Sequence, residues 1–234
     1  MMKPRLRLPF ARKGSVLRPA HRALTANEVR QCLRIAFGAT LGFTFSKLMG
    51  WNYGTFFTVY PMLLLGLVPV LNGHIIRQFF ANMALVSVFI LLIQGMFGDK
   101  PIPMTIAVFF VFAFMFRCMS RGPYFLFGAL GVVGLSVQLH FVSYSTVSMS
   151  DLVMSNIAAC ILTVLIAMLM HVVFPDVEAR GKPPIVSKPQ SNSRHEVILA
   201  STVATLSFVV FQVLDLQDSL SAQVSSVLIL FPLN

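Results

Sequence analysis

Charged side chains are scarce in this 234-residue sequence: Asp, Glu, Lys and Arg make up 11% of it, and only eight residues are acidic. Soluble domains carry about 25%, so a large water-soluble core is excluded. The few carboxylates form no pair suited to acid–base work, and no Ser/His/Asp constellation falls in a plausible pocket. The chain is therefore expected not to be an enzyme, and no catalytic residue is named. A G-x-x-x-x-G-K-[ST] loop is missing, which excludes ATP-driven pumping by this chain. The three cysteines, Cys32, Cys118 and Cys160, are scattered with no C-x-x-C or Cys/His spacing. They support neither a disulfide framework nor a zinc site, and they are read as small reduced core residues. No cofactor or metal is expected.

Apolar residues fill the space that charge leaves, at 56% of the chain. They fall in long runs of the length that crosses a bilayer, about 20 residues each. Helices are predicted at 27–49, 53–71, 75–97, 102–119, 122–141, 151–174, 195–214 and 218–234. The breaks between them carry turn and stop residues, such as Gly50-Trp51-Asn52 and Gly98-Asp99-Lys100-Pro101. Ser150-Asp151 is a candidate cap for the sixth helix. The net charge of +10 does not point to nucleic acid, because eight of the 18 Lys and Arg lie within residues 1–30. A basic tail beside the first span stays cytoplasmic and meets anionic lipid. The same tail is too long, and its apolar run too extended, for a signal peptide. Arg77, Arg117, Arg121 and the basic segment 175–194 all fall on the side of the N-terminus, so the N-terminus is expected inside.

Segment 175–194 is polar, basic and rich in proline, hence an extended linker. Across it, GATLGF at 38–43 is echoed by VATLSF at 203–208, an offset of 165 residues that also pairs Leu65 with Leu230. Each copy sits in the first helix after a basic segment and precedes a second apolar helix containing proline. The expected organisation is a basic cytoplasmic tail (1–26), a six-helix unit (27–174), a cytoplasmic linker (175–194) and the first two helices of a second unit (195–234). Six intervening helices make the two units parallel rather than inverted. A complete second unit would need roughly four more helices, so the chain is expected to be a fragment.

Residues 33–86 carry a family resemblance through Leu33-Arg34, Gly50-Trp51 at the outer turn, Pro61, and Gly73 with Arg77 at the inner turn. This stretch resembles fusaric-acid-resistance-like and aromatic-acid-exporter-like proteins of bacterial inner membranes, and most closely an uncharacterised domain-of-unknown-function branch of them. The resemblance implies an exporter working with a periplasmic adaptor protein. The short linker stands where the long aromatic-acid exporters carry a large soluble domain.

Candidate site residues follow from polarity inside the spans. Asn156, Cys160, Thr163, Ala167 and His171 share one face of the sixth helix, and a polar stripe in lipid must face protein or water. Asn156, Thr163 and His171, with Asn82, Gln94 and Gln138 as partners, are substrate-path candidates against simple interhelical bonding. Asp151, His140 and Arg77 are candidate coupling or charge sites; Arg77 and Lys47 also read as interfacial anchors. Gly38, Gly42 and Ser46, and Gly128, Gly131 and Gly134, form small-residue stripes for close helix packing. The sequence thus reads as an all-α polytopic bundle of about eight helices in the bacterial inner membrane. It is an efflux component for small, aromatic or anionic compounds, or alternatively a non-transporting scaffold subunit. Its expected partners are the lipid bilayer, an adaptor and further copies of itself.

Overall fold

The first helix begins where the sequence supplies a cap. A computed structural model describes residues 25–68, 70–98, 100–121, 124–142, 148–177 and 193–214. In it, α1 (Ala26–Leu48) starts behind Thr25. The Thr25 hydroxyl accepts from the Glu28 N–H, and the Glu28 carboxylate accepts from the Thr25 N–H at 2.7 Å. This reciprocal pair satisfies two donors that a helix start leaves open. The chain turns after α1 at Gly50, whose φ of +64° is left-handed, a conformation that favours a residue without a Cβ.

The second helix, α2, runs Gly54–Leu67 and has 14 residues, fewer than the predicted 53–71. Both shortfalls have local causes. Tyr53 is left-handed at φ 57°, which breaks the helix before Gly54. Val68 is extended because it precedes Pro69, and the residue before a proline is pushed out of the helical region. At 1.5 Å per residue α2 spans about 21 Å, short of the roughly 30 Å hydrocarbon layer.

Asn72 caps α3 (Gly73–Phe97), accepting from the Ile75 N–H at 2.9 Å. α4 (Pro101–Met119) opens on a proline, at a position where a missing N–H costs nothing. α5 spans Phe125–Val142. α6 (Met149–Val173) is capped by Ser148, two residues ahead of the expected Ser150-Asp151, because the Ser148 hydroxyl accepts the Asp151 N–H. α7 spans Ser193–Val213. The predicted helix 218–234 and residues 178–192 of the linker lie outside the described residues.

Every element among the described residues is a helix, so the fold is all-α. Five of the seven, α3 to α7, are long and apolar enough to cross a membrane. α1 has the length but carries Glu28, Arg30, Arg34 and Lys47. The chain is a multi-pass membrane protein, and its outward apolar faces are its lipid contact.

The bundle is organised around α5. Of its spanning stretch 78% is buried, against 28% for α7. α3 and α4 pack on it, α7 lies on α4, and α6 packs against α1, α2 and α3. The small residues sit where backbones meet. A Cβ on Gly42 would overlap the Phe57 carbonyl of α2, and one on Gly128 would overlap the α4 backbone at Met115 and Met119. Gly38 faces Leu65, Gly131 faces Met115 and Asn82, Gly134 faces Met83, and Ser46 is fully buried.

The 165-residue offset places Gly38, Gly42 and Ser46 opposite Val203, Ser207 and Phe211. The first three are buried in α1. On α7 it is Ala204, Thr205 and Phe208 that are buried; these match Ala39, Thr40 and Phe43, which α1 leaves partly or wholly exposed. The two helices therefore bury different faces.

Candidate functional site

The buried half of α6 is polar where the sequence pattern places polarity. Asn156, Cys160, Thr163 and Ala167 are all buried, while Ile157, Leu165 and Leu169 are exposed. Asn156 is the hub. Its Oδ1 accepts from the Tyr60 hydroxyl of α2 at 2.6 Å, and its Nδ2 donates to Ser87 Oγ of α3 at 2.7 Å. Three helices are thus joined by two short hydrogen bonds in the interior. Gln138 of α5 brings its amide beside the Tyr60 hydroxyl, yet neither amide atom makes a hydrogen bond of ordinary geometry.

A groove of about 470 Å³ opens between α3 and α6 directly over this hub. Ser87, Asn156 and Cys160 line it, with Phe80, Leu91, Ile157 and Ile161 among its apolar walls. Those four wall residues are exposed on the outer face of the bundle, so the groove opens sideways, toward lipid.

Four of the substrate-path candidates keep a buried polar atom without a partner: Asn82 Oδ1, both amide atoms of Gln138, Thr163 Oγ1 and His171 Nε2. An unmet buried polar atom costs about 1–3 kcal/mol. Thr163, like Thr205 on α7, departs from the habit of a helical hydroxyl, which often returns to the carbonyl four residues back, as Ser136, Ser201 and Thr202 do. The Asn82 Nδ2 donates to the Phe127 carbonyl of α5, and His171 Nδ1 meets the Ala167 carbonyl at 2.7 Å.

Not all candidates converge. His171 lies 15 residues beyond Asn156, about 22 Å along the axis. Gln94 is half-buried near the end of α3. His140 is buried beside Phe141 near the end of α5. Asp151 is exposed in the first turn of α6; burial first, and then this carboxylate, push the nearby Tyr53 phenol up. Arg77 is exposed at the start of α3.

Sequence reasoning missed Tyr60 and Ser87, whose polarity is ordinary until α6 supplies Asn156 opposite them. It also assigned no role to Arg34, which is 2% exposed. The Arg34 guanidinium donates to the Phe174 carbonyl at 2.8 Å and to Asp176 at 2.9 Å, locking the start of α1 to the segment that leaves α6. An Arg inside the first predicted span and an Asp just past the sixth, both at the inner end, were the available signal. Among the described residues no three His, Cys, Asp or Glu gather as a metal site.

Two comparisons with known proteins are empty: no curated protein and no solved structure matches the chain. The third is positive. The model of a family described as "Protein of unknown function (DUF2955)" matches residues 31–170, the stretch that holds α2 to α5 whole, most of α1 and α6, and every member of the Asn156 hub. The chain belongs to the DUF2955 family.

Proposed function

We propose that this chain is a component of an efflux transporter in the bacterial inner membrane, moving small amphipathic compounds, aromatic or anionic, with the polar face of α6 lining their path. The observation that carries the reading is the set of buried polar atoms without a hydrogen-bond partner on Asn82, Gln138 and Thr163, beside a hub whose Ser87 and Asn156 border a lipid-facing groove. A bundle selected only for stability gains nothing from such atoms, whereas a path for amphipathic solutes needs polar groups it has not already used. The N-terminus and the linker 175–194 face the cytoplasm in this reading, on the Lys/Arg bias. The sequence echo then makes residues 195–234 the start of a second parallel unit. A periplasmic adaptor and a homo-oligomeric assembly complete the proposed machine. No enzymatic step belongs to it.

The test is cellular accumulation of a panel of aromatic acids, with membrane levels of each variant measured alongside. Asn156→Leu and Thr163→Val remove polar groups at nearly constant size. Asn156→Leu gives up two interhelical hydrogen bonds, each worth about 0.6–2 kcal/mol, and Thr163→Val gives up none, so both variants should insert and express, and efflux should fall at least several-fold. Normal efflux by both would assign the face to packing. One observation favours the scaffold reading instead: both amide atoms of Asn156 are hydrogen-bonded, to α2 and α3, as those of a purely structural residue would be. A deletion strain with unchanged accumulation across the panel would support it.

A further inference from the structure

Another hollow of the bundle has the opposite chemistry. It measures about 500 Å³ and lies where the first turns of α3, the last turn of α4 and the start of α5 meet. Arg77, Arg121, His74 and Tyr124 line it together with Phe114 and Phe127. Arg77, Arg121 and His74 are exposed. Gln78, one turn along α3, holds the His74 ring with a 2.8 Å hydrogen bond. Arg117 adds a third guanidinium nearby, since its charge and that of Arg121 both bear on the Cys118 thiol in the pocket wall. None of the described carboxylates, Glu28, Asp151, Asp176 and Glu196, lines the pocket. Among the described residues neither Arg77 nor Arg121 has an ion-pair partner.

We infer that this pocket binds the phosphodiester headgroup of an anionic phospholipid. Two guanidiniums with no ion-pair partner among the described residues match phosphate oxygens in geometry and charge, and basic pockets between spanning helices at a membrane surface take anionic headgroups. The surroundings select a lipid over a free anion. Phe114 and Phe110 continue the Cys118 face of α4 one and two turns inward, and both are exposed. An acyl chain has an apolar track to lie on as soon as its headgroup is held. A soluble phosphate or carboxylate would use the mouth and leave the track bare.

The experiment uses the purified full chain in detergent micelles and a fluorescent phosphatidylglycerol, with phosphatidylcholine of the same acyl length as the zwitterionic probe. At about 1 kcal/mol per basic residue, Arg77→Gln and Arg121→Gln should each weaken phosphatidylglycerol binding roughly five-fold, and the double variant roughly thirty-fold. Arg194→Gln on α7 should leave it unchanged. In the wild-type chain, bound phosphatidylglycerol should also slow maleimide labelling of Cys118 but not of the exposed Cys32; this reading needs no variant to fold. Equal affinity for the two lipids, or equal losses in the Arg194 and Arg77 variants, overturns the site. Displacement of the lipid by inorganic phosphate or glycerol phosphate at matching concentrations overturns the lipid as occupant and makes the pocket one for soluble anions.

Discussion

Two glycines in this protein should respond to the same substitution with opposite signs. Gly42→Ala places a methyl group on the Phe57 carbonyl oxygen. A backbone oxygen cannot rotate away as a side chain would, so α1 and α2 must separate, and the Pro61 ring, 3.4 Å from the same methyl, resists sliding. Overpacking of this kind costs about 1–3 kcal/mol. Gly95→Ala on α3 meets nothing within 4 Å and gains the helical preference of alanine, worth about 0.5–1 kcal/mol. The two variants should therefore differ by about 1.5–4 kcal/mol, at least a ten-fold difference in the folded-to-unfolded ratio. Reversible unfolding in mixed micelles, followed by helical circular dichroism across a denaturing-detergent titration, reads this directly. If the two midpoints agree with each other, the close approach of α1 to α2 is wrong, and with it the account of the α1 stripe.

Three further outcomes are expected. A double-mutant cycle of Tyr60→Phe with Asn156→Leu should show a coupling of about 0.6–1.7 kcal/mol; strictly additive losses would mean the 2.6 Å bond between them is not made. Arg34→Met should cost about 1.5–3 kcal/mol, the scale for hydrogen bonds to a charged group, and Asp176→Asn clearly less. The Asp176 side chain is 24% exposed and screened, and the Phe174 carbonyl still holds the arginine; a larger loss at Asp176 would reverse the assignment of which contact matters. A single cysteine at Ser187, in a background lacking Cys32, Cys118 and Cys160, should resist an impermeant reagent added outside intact cells, and ready labelling there would invert the proposed topology.

The positions of the seven described helices were legible because apolar runs of this length have few alternatives, and caps and prolines mark their ends. α2 was misjudged since Val68 to Leu71 are apolar enough to read as helix, and only the Val68-Pro69 junction says otherwise. The inward turn of the α6 stripe was legible from spacing alone, since Asn156, Cys160, Thr163 and Ala167 repeat at helical intervals. What met that stripe was not. Tyr60 and Ser87 lie 96 and 69 residues from Asn156 in sequence, and no local pattern encodes a contact between helices. The Arg77 pocket was half legible: a lone arginine at a turn reads as an anchor, and only the fold brings Arg121 beside it. The groove between α3 and α6 had no sequence signal, because an apolar wall facing lipid and one facing a groove have the same composition.

The burial of α5 bears on how the protein is made. Its composition is that of a helix at home in lipid, yet its Gly128, Gly131 and Gly134 ridge and its Gln138 and His140 end up enclosed by protein. Helices enter a bilayer first and associate afterwards, so α5 must spend its early life with those polar and glycine surfaces against acyl chains. Its own hydrophobicity secures insertion, and the Gln138 amide, which has no partner of ordinary geometry in the assembled bundle, gains none in lipid. Substitutions that make the α5 surface greasier should ease insertion while removing the backbone approach that later draws in α3 and α4. Biogenesis and packing thus pull this one helix in opposite directions, and its glycines are where the conflict is settled in favour of assembly.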